Sequence, residues 1–215
     1  MPKVYIYVVR YDLGFAPNPF GGVCTFACCM PVIRRTADVG DWLIGMGGRD
    51  LKATGRCIYA MRVTGDLTFN QYWNSERFRG KRPIRNGSRR TMVGDNIYRT
   101  DRKSGGWLQE NSVHSQPSGQ QDPDNTRHDT QTDRLLISEE FLYFGENAPM
   151  VPAKLLWKIG YRNGRGHRVF TEKECETLLE WIKVQAGQQV NQVLGDPFQF
   201  RESGKRYSKT RNRLI

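Results

Sequence analysis

Short apolar runs separated by glycine and proline constrain the fold of this chain more than any other feature. Residues 3–11 read KVYIYVVRY, and two further runs cover 42–46 and 56–64. Their β-branched and aromatic residues favour strands, and the side chains of 57–63 alternate between two faces. We therefore predict strands at 4–9, 42–46 and 56–64, in a small, curved and mostly antiparallel β-sheet or barrel.

A capped amphipathic helix is predicted at about 171–186. Thr171 is followed three residues later by Glu174, which is the spacing of a capping box. The apolar positions that follow on one face are Cys175, Leu178, Leu179, Ile182 and Ala186. With a few such helices covering the sheet, the predicted fold class is α+β.

A polar stretch interrupts the apolar pattern in the middle of the chain. Between 111 and 133 only Val113 is apolar, so we predict a mobile polar insertion at about 109–133 that contributes little to the core. The 215 residues fit a single domain. We place this domain at 1–187, with 188–215 as a loose basic tail.

Positive charge is concentrated in two clusters. The formal net charge is +11; residues 77–103 carry ten Lys and Arg against two Asp, and 201–215 carry six against one Glu. Arginine predominates, and its planar fork suits phosphate groups and base edges. The expected partner is a nucleic acid or nucleotide, with DNA favoured over RNA, and a merely solvated surface is the alternative.

The amino-terminal run and the cysteines bear on location and metal binding. No stretch reaches the roughly 18 apolar residues of a membrane span, and residues 1–9 lack the features of a signal peptide. We expect a cytoplasmic protein without a membrane partner.

Five cysteines, an odd number, argue against a disulfide framework. The run CTFACC at 24–29 has no paired C-x-x-C spacing and no histidine close in sequence. We favour buried small side chains over a metal cluster there, and we predict no metal and no cofactor.

The run YRNGRGHRVF at 161–170 is a candidate phosphate-binding loop. Its glycines allow a sharp turn and close approach to a ligand, and its arginines supply forked donors. The helix predicted at 171 would add its positive amino-terminal end. The candidate nucleic-acid-binding residues are Arg162, Asn163, Gly164, Arg165, Gly166, His167 and Arg168, with Arg79 and Arg82 from the first basic cluster. An exposed charged turn is the alternative.

Aromatic residues close to basic ones are candidates for stacking on bases. The predicted base pocket consists of Asn18, Phe20, Trp42, Tyr72 and Trp73. A place in the core is the alternative for each aromatic residue. Trp42 is the strongest candidate, because a strand that starts at a tight turn places its first side chains at the rim of the sheet.

Several of these runs resemble a bacterial and phage family, the nucleotide modification associated domain family of type two. The runs are YVVRYDLGFAPNPFGGVCTFACCMPVIRRTADVGDWLIGMGG, GRCIYAMRVTGDLTFNQYW, LLISEEFLYFG and GRGHR, within residues 4–170. The resemblance implies an association with modified nucleotides. In addition, VGDWLIG followed by IYAMRVTGD is similar to the PUA-like superfamily, including EVE and YTH modules, which implies a barrel whose aromatic pocket holds a flipped, modified base.

Two main functions are compatible with this sequence. The first is a binding module for nucleic acid with modified or flipped bases, and the alternative is an enzyme acting on a modified nucleotide or nucleobase. A structural or protein-binding role is a third possibility. Candidate catalytic groups are Asp12, Asp41, Cys28 or Cys29, and His167, but none has diagnostic spacing. A pocket with two titratable groups within hydrogen-bond reach would favour the enzyme. The catalytic residues and the oligomeric state stay open.

Overall fold

The structure, a computed structural model, describes residues 1–187 and 189–215. The strands are β1 Lys3–Val9, β2 Cys24–Phe26, β3 Trp42–Gly47, β4 Cys57–Arg62, β5 Gly65–Leu67, β6 Tyr98–Thr100, β7 Trp107–Gln109, β8 Leu135–Ser138, β9 Glu140–Tyr143, β10 His167–Thr171, β11 Gln192–Val193, β12 Tyr207–Ser208 and β13 Arg213–Leu214. The α-helices are α1 Pro31–Thr36, α2 Phe69–Asn74, α3 Arg89–Met92, α4 Pro123–Asp129, α5 Ala153–Lys158 and α6 Glu172–Gln185. Short 3-10 turns lie at Arg49–Leu51, Glu76–Lys81, Gly145–Asn147 and Phe200–Glu202.

A six-stranded mixed sheet forms the centre of the molecule. Its strand order is β10-β1-β3-β4-β9-β11, with parallel pairs β1–β3 and β9–β11 and antiparallel pairs elsewhere. The α+β class and the strands expected at 4–9, 42–46 and 56–64 are confirmed. The described strands form an open sheet rather than a closed barrel, because edge strands β10 and β11 do not pair with each other. The PUA-like barrel is therefore not confirmed.

The predicted capped helix is confirmed as α6. The Thr171 side chain accepts a hydrogen bond from the Glu174 amide, and the Glu174 carboxylate accepts one from the Thr171 amide. Its buried residues, which include Leu178 and Ile182, pack into the core around the central sheet. No helix in the described parts of the chain is long and apolar enough to cross a membrane.

A second core lies beside the central sheet. It joins the loop around Phe15, helix α2 and the segment that contains Val93 and Ile97. A small sheet of order β2-β8-β5 belongs to both cores, since its Phe26 packs in the first core and its Ile137 in the second. The turn that follows β2 is therefore held between two packed units.

The polar segment and the tail pack against this second core. In 109–133 the buried residues are Ser112, Val113, His114, Ser115, Asn125, Thr126 and Asp129. The Tyr207 amide donates to the Val113 carbonyl at 2.7 Å, and Arg206 donates to the Ser112 carbonyl at 2.6 Å. The expectations of a small core contribution and of a loose tail are wrong, because hydrogen-bonded polar side chains are buried here in place of apolar ones. The division into 1–187 and 188–215 stays a prediction, and Gln188 lies outside the described residues.

Candidate active site

The arginine- and glycine-rich loop is exposed and precedes an edge strand. Residues 162–166 are exposed, and the Asn163 amide donates to the Gly47 carbonyl at 3.0 Å. Strand β10 separates this loop from α6, whose first amides are capped by Thr171 and Glu174. The expected contribution of the helix end is therefore wrong. Phosphate binding by the loop stays a prediction.

The other two candidate residues of that run, His167 and Arg168, lie on β10. The ring of His167 is 5.8 Å from the ring of Tyr5, and Arg168 is exposed. Partial burial and the neighbouring Arg168 charge lower the pKa of His167. Its imidazole therefore tends toward the neutral form.

The five residues of the predicted base pocket do not share one cavity. Asn18 and Phe20 line a cavity of about 170 Å³ together with Lys81, whereas Trp73 lines a different one. Tyr72 is fully buried, and its hydroxyl donates to the Asp95 carboxylate at 2.8 Å. A single pocket formed by these five residues is therefore a wrong expectation.

Trp42 does not lie at an open rim. Only 2% of its surface is exposed, its indole N–H donates to Glu172, and the Lys183 ammonium lies over the ring. The side chains of α6 thus cover the position where a base would stack. The expectation of an accessible Trp42 is wrong because a helix packs over this end of β3.

Two carboxylates considered for catalysis have structural partners. Asp12 is buried and accepts hydrogen bonds from the Tyr143 hydroxyl and the Phe198 amide. Burial raises the pKa of Asp12 to about 6. Asp41 accepts from the backbone amides of Lys3 and Asp38, at 2.7 and 2.9 Å. Both carboxylates hold distant or neighbouring backbone segments in place.

Cys29, His114 and Asp129 form a hydrogen-bonded triad. The Cys29 Sγ lies 3.7 Å from His114 Nε2, and His114 Nδ1 lies 2.7 Å from Asp129 Oδ2. His114 and Asp129 are 3% and 0% exposed, whereas Cys29 is half-buried and reaches a cavity. A thiol, an imidazole and a carboxylate in this order are the parts of an activated cysteine nucleophile.

The turn between β2 and α1 holds Cys29 in an unusual conformation. Cys29 and Met30 have φ values of 61° and 38°, a region that non-glycine residues rarely occupy. The Cys29 amide donates to Asp129 Oδ1 at 2.8 Å, and the Arg34 side chain donates to the Cys29 carbonyl at 2.9 Å. Pro31 then begins α1. The backbone of Cys29 is thus fixed from both sides, by the side chains of Asp129 and Arg34.

The other two members come from the polar segment. Asp129 is the last residue of α4, whose amino terminus is capped by the Asp122 side chain. Its Oδ2 also accepts from the Tyr98 hydroxyl at 3.0 Å, and the fully buried Arg34 donates to its carbonyl oxygen. The Ser112 hydroxyl accepts from the His114 amide at 3.2 Å. These bonds orient the buried carboxylate and the buried imidazole.

The electrostatics of the triad favour an imidazolium. Burial lowers the pKa of His114, but the Asp129 carboxylate and Cys29 outweigh it and raise the pKa to about 10. Burial raises the pKa of Asp129, but His114 and Arg34 outweigh it and lower the pKa to about 2. A charged His114–Asp129 pair therefore persists at neutral pH.

The cavity at Cys29 has aromatic walls and a positive lining. Its volume is about 240 Å³, slightly below the roughly 300–1,000 Å³ common for small-molecule sites. The aromatic lining residues are Tyr7, Tyr11, Phe15, His114, His128 and Tyr207, and the cationic ones are Arg10 and Lys209. No Asp or Glu of the described chain lines this cavity. Flat anionic ligands match such a lining.

A metal site is the competing interpretation of the same cluster. Cys28, His114 and Asp129 offer ligand atoms that lie within 4.8 Å of one another, and these residue types bind zinc in proteins. Both Asp129 oxygens already accept hydrogen bonds, and His114 Nδ1 is bonded to one of them. Binding a metal through these atoms would break that network, so the geometry favours the triad. The expected absence of a metal stays a prediction.

The sequence alone points to only one member of the triad. Cys29 was a candidate, but the histidine considered with it, His167, does not line the cavity. His114 and Asp129 lie in the segment interpreted as a mobile insertion. The available signal in the sequence is His114 itself, because the chain has only three histidines and this one lies in a polar segment.

Comparison with known proteins identifies a family. A family model described as nucleotide modification associated domain 2 matches residues 1–204 of the 215. Neither the curated proteins nor the solved structures contain a match to this chain. The similarity to PUA-like modules therefore stays a prediction.

Proposed function

Because the chain belongs to the nucleotide modification associated domain 2 family, we propose that it is a cysteine-dependent enzyme that acts on a nucleotide or nucleobase. Family membership supports a role in nucleotide modification systems and leaves binding and catalysis open. The observation that carries the choice of an enzyme is the 3.7 Å contact between Cys29 Sγ and His114 Nε2 at a cavity. Two titratable groups within reach in one pocket are typical of catalytic sites.

In the proposed reaction Cys29 acts as the nucleophile. The Cys29 thiolate donates an electron pair to an electrophilic carbon of the substrate, and a C–S bond forms. The displaced electron pair moves to a substrate oxygen or nitrogen, which takes the proton of the His114 imidazolium. The protonated oxygen or nitrogen group then departs. In the second step a water molecule donates an electron pair to the same carbon and a proton to His114, and the C–S bond breaks with its electron pair returning to sulfur, which restores the thiolate and the imidazolium. Asp129 stays ionised and keeps His114 in the orientation that this transfer requires.

The cavity lining supports a nucleotide as the ligand. Tyr11 and Tyr207 have ring centres 5.9 Å apart and stand at the same wall, so a base can pack against them. Arg10 and Lys209 supply positive charge for phosphate. Arg10 is already paired with Asp50 at 2.5 Å, whereas Lys209 forms no ion pair within the described residues. We therefore expect Lys209 to contribute more to phosphate binding.

The proposal predicts one exceptionally reactive cysteine. We expect iodoacetamide at pH 7 to alkylate Cys29 at least about 10-fold faster than any other cysteine. The other four are buried, and burial raises the pKa of Cys24, Cys57 and Cys175 to about 12 and that of Cys28 well above its usual range. Peptide mass spectrometry measures the rate at each site. Millimolar deoxynucleoside 5′-monophosphates should slow alkylation of Cys29.

Matched variants separate Cys29 from its neighbour. Cys28→Ser should keep the fast alkylation, whereas Cys29→Ser should lose it. Inorganic phosphate and an added model thiol control for ionic effects and for consumption of the reagent. An ordinary rate at Cys29 would contradict the enzyme; if nucleotides still bind in that case, the result favours the binding module.

A further inference from the structure

A tryptophan clamped between two arginines marks a second basic site. The guanidinium carbons of Arg82 and Arg99 lie 4.0 and 4.2 Å from the centre of the Trp73 ring. Arg82 also donates to the Trp73 carbonyl, and Arg99 is paired with Glu110. Since the two guanidinium groups already lie against the indole ring, Trp73 is poorly placed to stack on a base. It instead holds two planar cations in fixed orientations.

This clamp borders a groove between α2 and the β6–β7 hairpin. The groove has a volume of about 470 Å³, and Arg99, Arg102 and Lys103 line it. Among the described residues, Asp101 is the only carboxylate in the lining, and it accepts hydrogen bonds from the Ser104 hydroxyl and from the Lys103 backbone amide. Arg102 and Lys103 are exposed and form no ion pair within residues 1–187 and 189–215. Two of the three cations are thus available to a ligand.

The chemistry of the groove matches the backbone of a nucleic acid. Forked guanidinium groups bind phosphate oxygens in two-pronged geometry, and ammonium groups add charge. The lining also presents the side-chain amide of Asn74, which suits sugar and phosphate oxygens, whereas the side-chain amide of Asn70 is hydrogen-bonded to Thr100. Because the aromatic ring is covered, nothing in this lining favours one base over another.

We propose that this groove binds the sugar-phosphate backbone of a nucleic acid strand without sequence preference, so that the substrate of the cavity is a base within a polynucleotide. Backbone binding by the groove is independent of the proposed function, whereas the nature of the substrate rests on it. Strand β6 connects the two sites. Its Tyr98 donates to Asp129 of the triad, and the next residue, Arg99, lines the groove.

Fluorescence anisotropy with a labelled single-stranded DNA 20-mer of mixed sequence tests the groove. We compare the wild type with Arg102→Ala/Lys103→Ala at several salt concentrations. Loss of two phosphate contacts should weaken binding at low salt by about 10-fold, and should reduce the slope of log K against log salt by roughly 1.4. Lys154→Ala/Lys173→Ala removes two exposed cations from α5 and α6, and should bind like the wild type.

Each outcome of this experiment is informative. Equal binding by the groove double variant and the control variant at every salt concentration would overturn the proposal. Unlabelled 20-mer and deoxynucleoside monophosphates are also compared as competitors at equal phosphate concentration. If both displace the labelled 20-mer equally well, the groove binds free phosphate groups, and the proposal that it binds a polynucleotide is wrong. The anisotropy measurement of the groove does not use the Cys29 thiol. Failure of the cysteine chemistry therefore leaves the groove result intact, and failure of the groove leaves the Cys29 alkylation result intact.

Discussion

His114 joins the chemistry of the site to the stability of the fold. Its two ring nitrogens face Cys29 and Asp129, and Asp129 in turn is held by Tyr98 and the Cys29 amide. Removal of the imidazole leaves a buried carboxylate without its main cationic partner. Loss of one partner of a buried ion pair costs roughly 3–5 kcal/mol of folding free energy.

We predict that His114→Gln has two separate effects. Alkylation of Cys29 at pH 7 should fall by about 10-fold or more, because a thiolate at Cys29 loses the adjacent imidazolium that stabilises it. The free energy of unfolding should fall by about 3–5 kcal/mol at pH 6. Urea titrations and alkylation rates of the purified variant measure both.

The pH dependence tests whether His114 is charged in the folded protein. Its pKa is raised from 6.5 to about 10, so its contribution is complete below pH 6.5 and disappears as the pH rises through about 10. The pKa of Asp129 is lowered from 3.8 to about 2; its contribution is present above pH 3.8 and disappears as the pH falls through about 2. The stability difference between the wild type and His114→Gln should therefore shrink between pH 7 and 10. A difference that stays constant over that range would rule out the imidazolium.

At the scale of elements, the carboxy-terminal hairpin β12–β13 forms one wall of the cavity. Tyr207, Lys209 and Leu214 line it. The hairpin is attached to the polar segment by two hydrogen bonds. The Asn125 side-chain amide donates to the Tyr207 carbonyl at 2.8 Å, and the Thr210 hydroxyl donates to the Asp124 carboxylate at 2.8 Å. An element at the end of the chain thus covers a site built from the middle of the chain.

Deletion of residues 206–215 should therefore open the cavity without removing the triad. We expect Cys29 to be alkylated a few-fold faster than in the wild type, because its thiol becomes more exposed. Protection by deoxynucleoside monophosphates should be lost, because the aromatic wall and the Lys209 charge are absent. Lys209→Ala should lose part of the protection while the alkylation rate without nucleotide stays unchanged. Undiminished protection in the deletion variant would place the nucleotide elsewhere.

Local signals in the sequence predicted the main elements and missed the site. The β-branched run of β1 and the capping box of α6 are short-range patterns, and the structure confirms both. The triad depends on contacts 85 and 15 residues apart in the chain, which no local pattern records. The small core contribution expected of the polar segment is wrong for a related reason. The burial of this segment relies on hydrogen bonds between polar groups, whereas sequence patterns detect the burial of apolar ones.

At the scale of the whole molecule, the polar segment links the second core, the tail and the triad. From its low apolar content we would expect deletion of 114–130 to change the stability by no more than roughly 1 kcal/mol. The structure predicts the opposite. The buried Arg34 donates to the carbonyls of Asp129 and Arg134, and the Cys29 amide and Tyr98 hydroxyl donate to the Asp129 carboxylate.

Deletion of 114–130 should therefore abolish cooperative unfolding. The Cys29 amide, the Tyr98 hydroxyl and part of the Arg34 guanidinium would lose their acceptors, at about 1–3 kcal/mol for each buried unsatisfied group and more for the charged one. Their sum is comparable to the roughly 5–15 kcal/mol that stabilises a typical domain.

Asp129→Asn, which keeps the side-chain volume, should still fold and lose about 3–5 kcal/mol of folding free energy. Alanine at the exposed Pro117 and Ser118 should change stability by less than about 0.5 kcal/mol. Urea unfolding, followed by tryptophan fluorescence, distinguishes these cases. If the free energy of unfolding of the deletion variant lies within about 1 kcal/mol of the wild-type value, this segment is a dispensable loop.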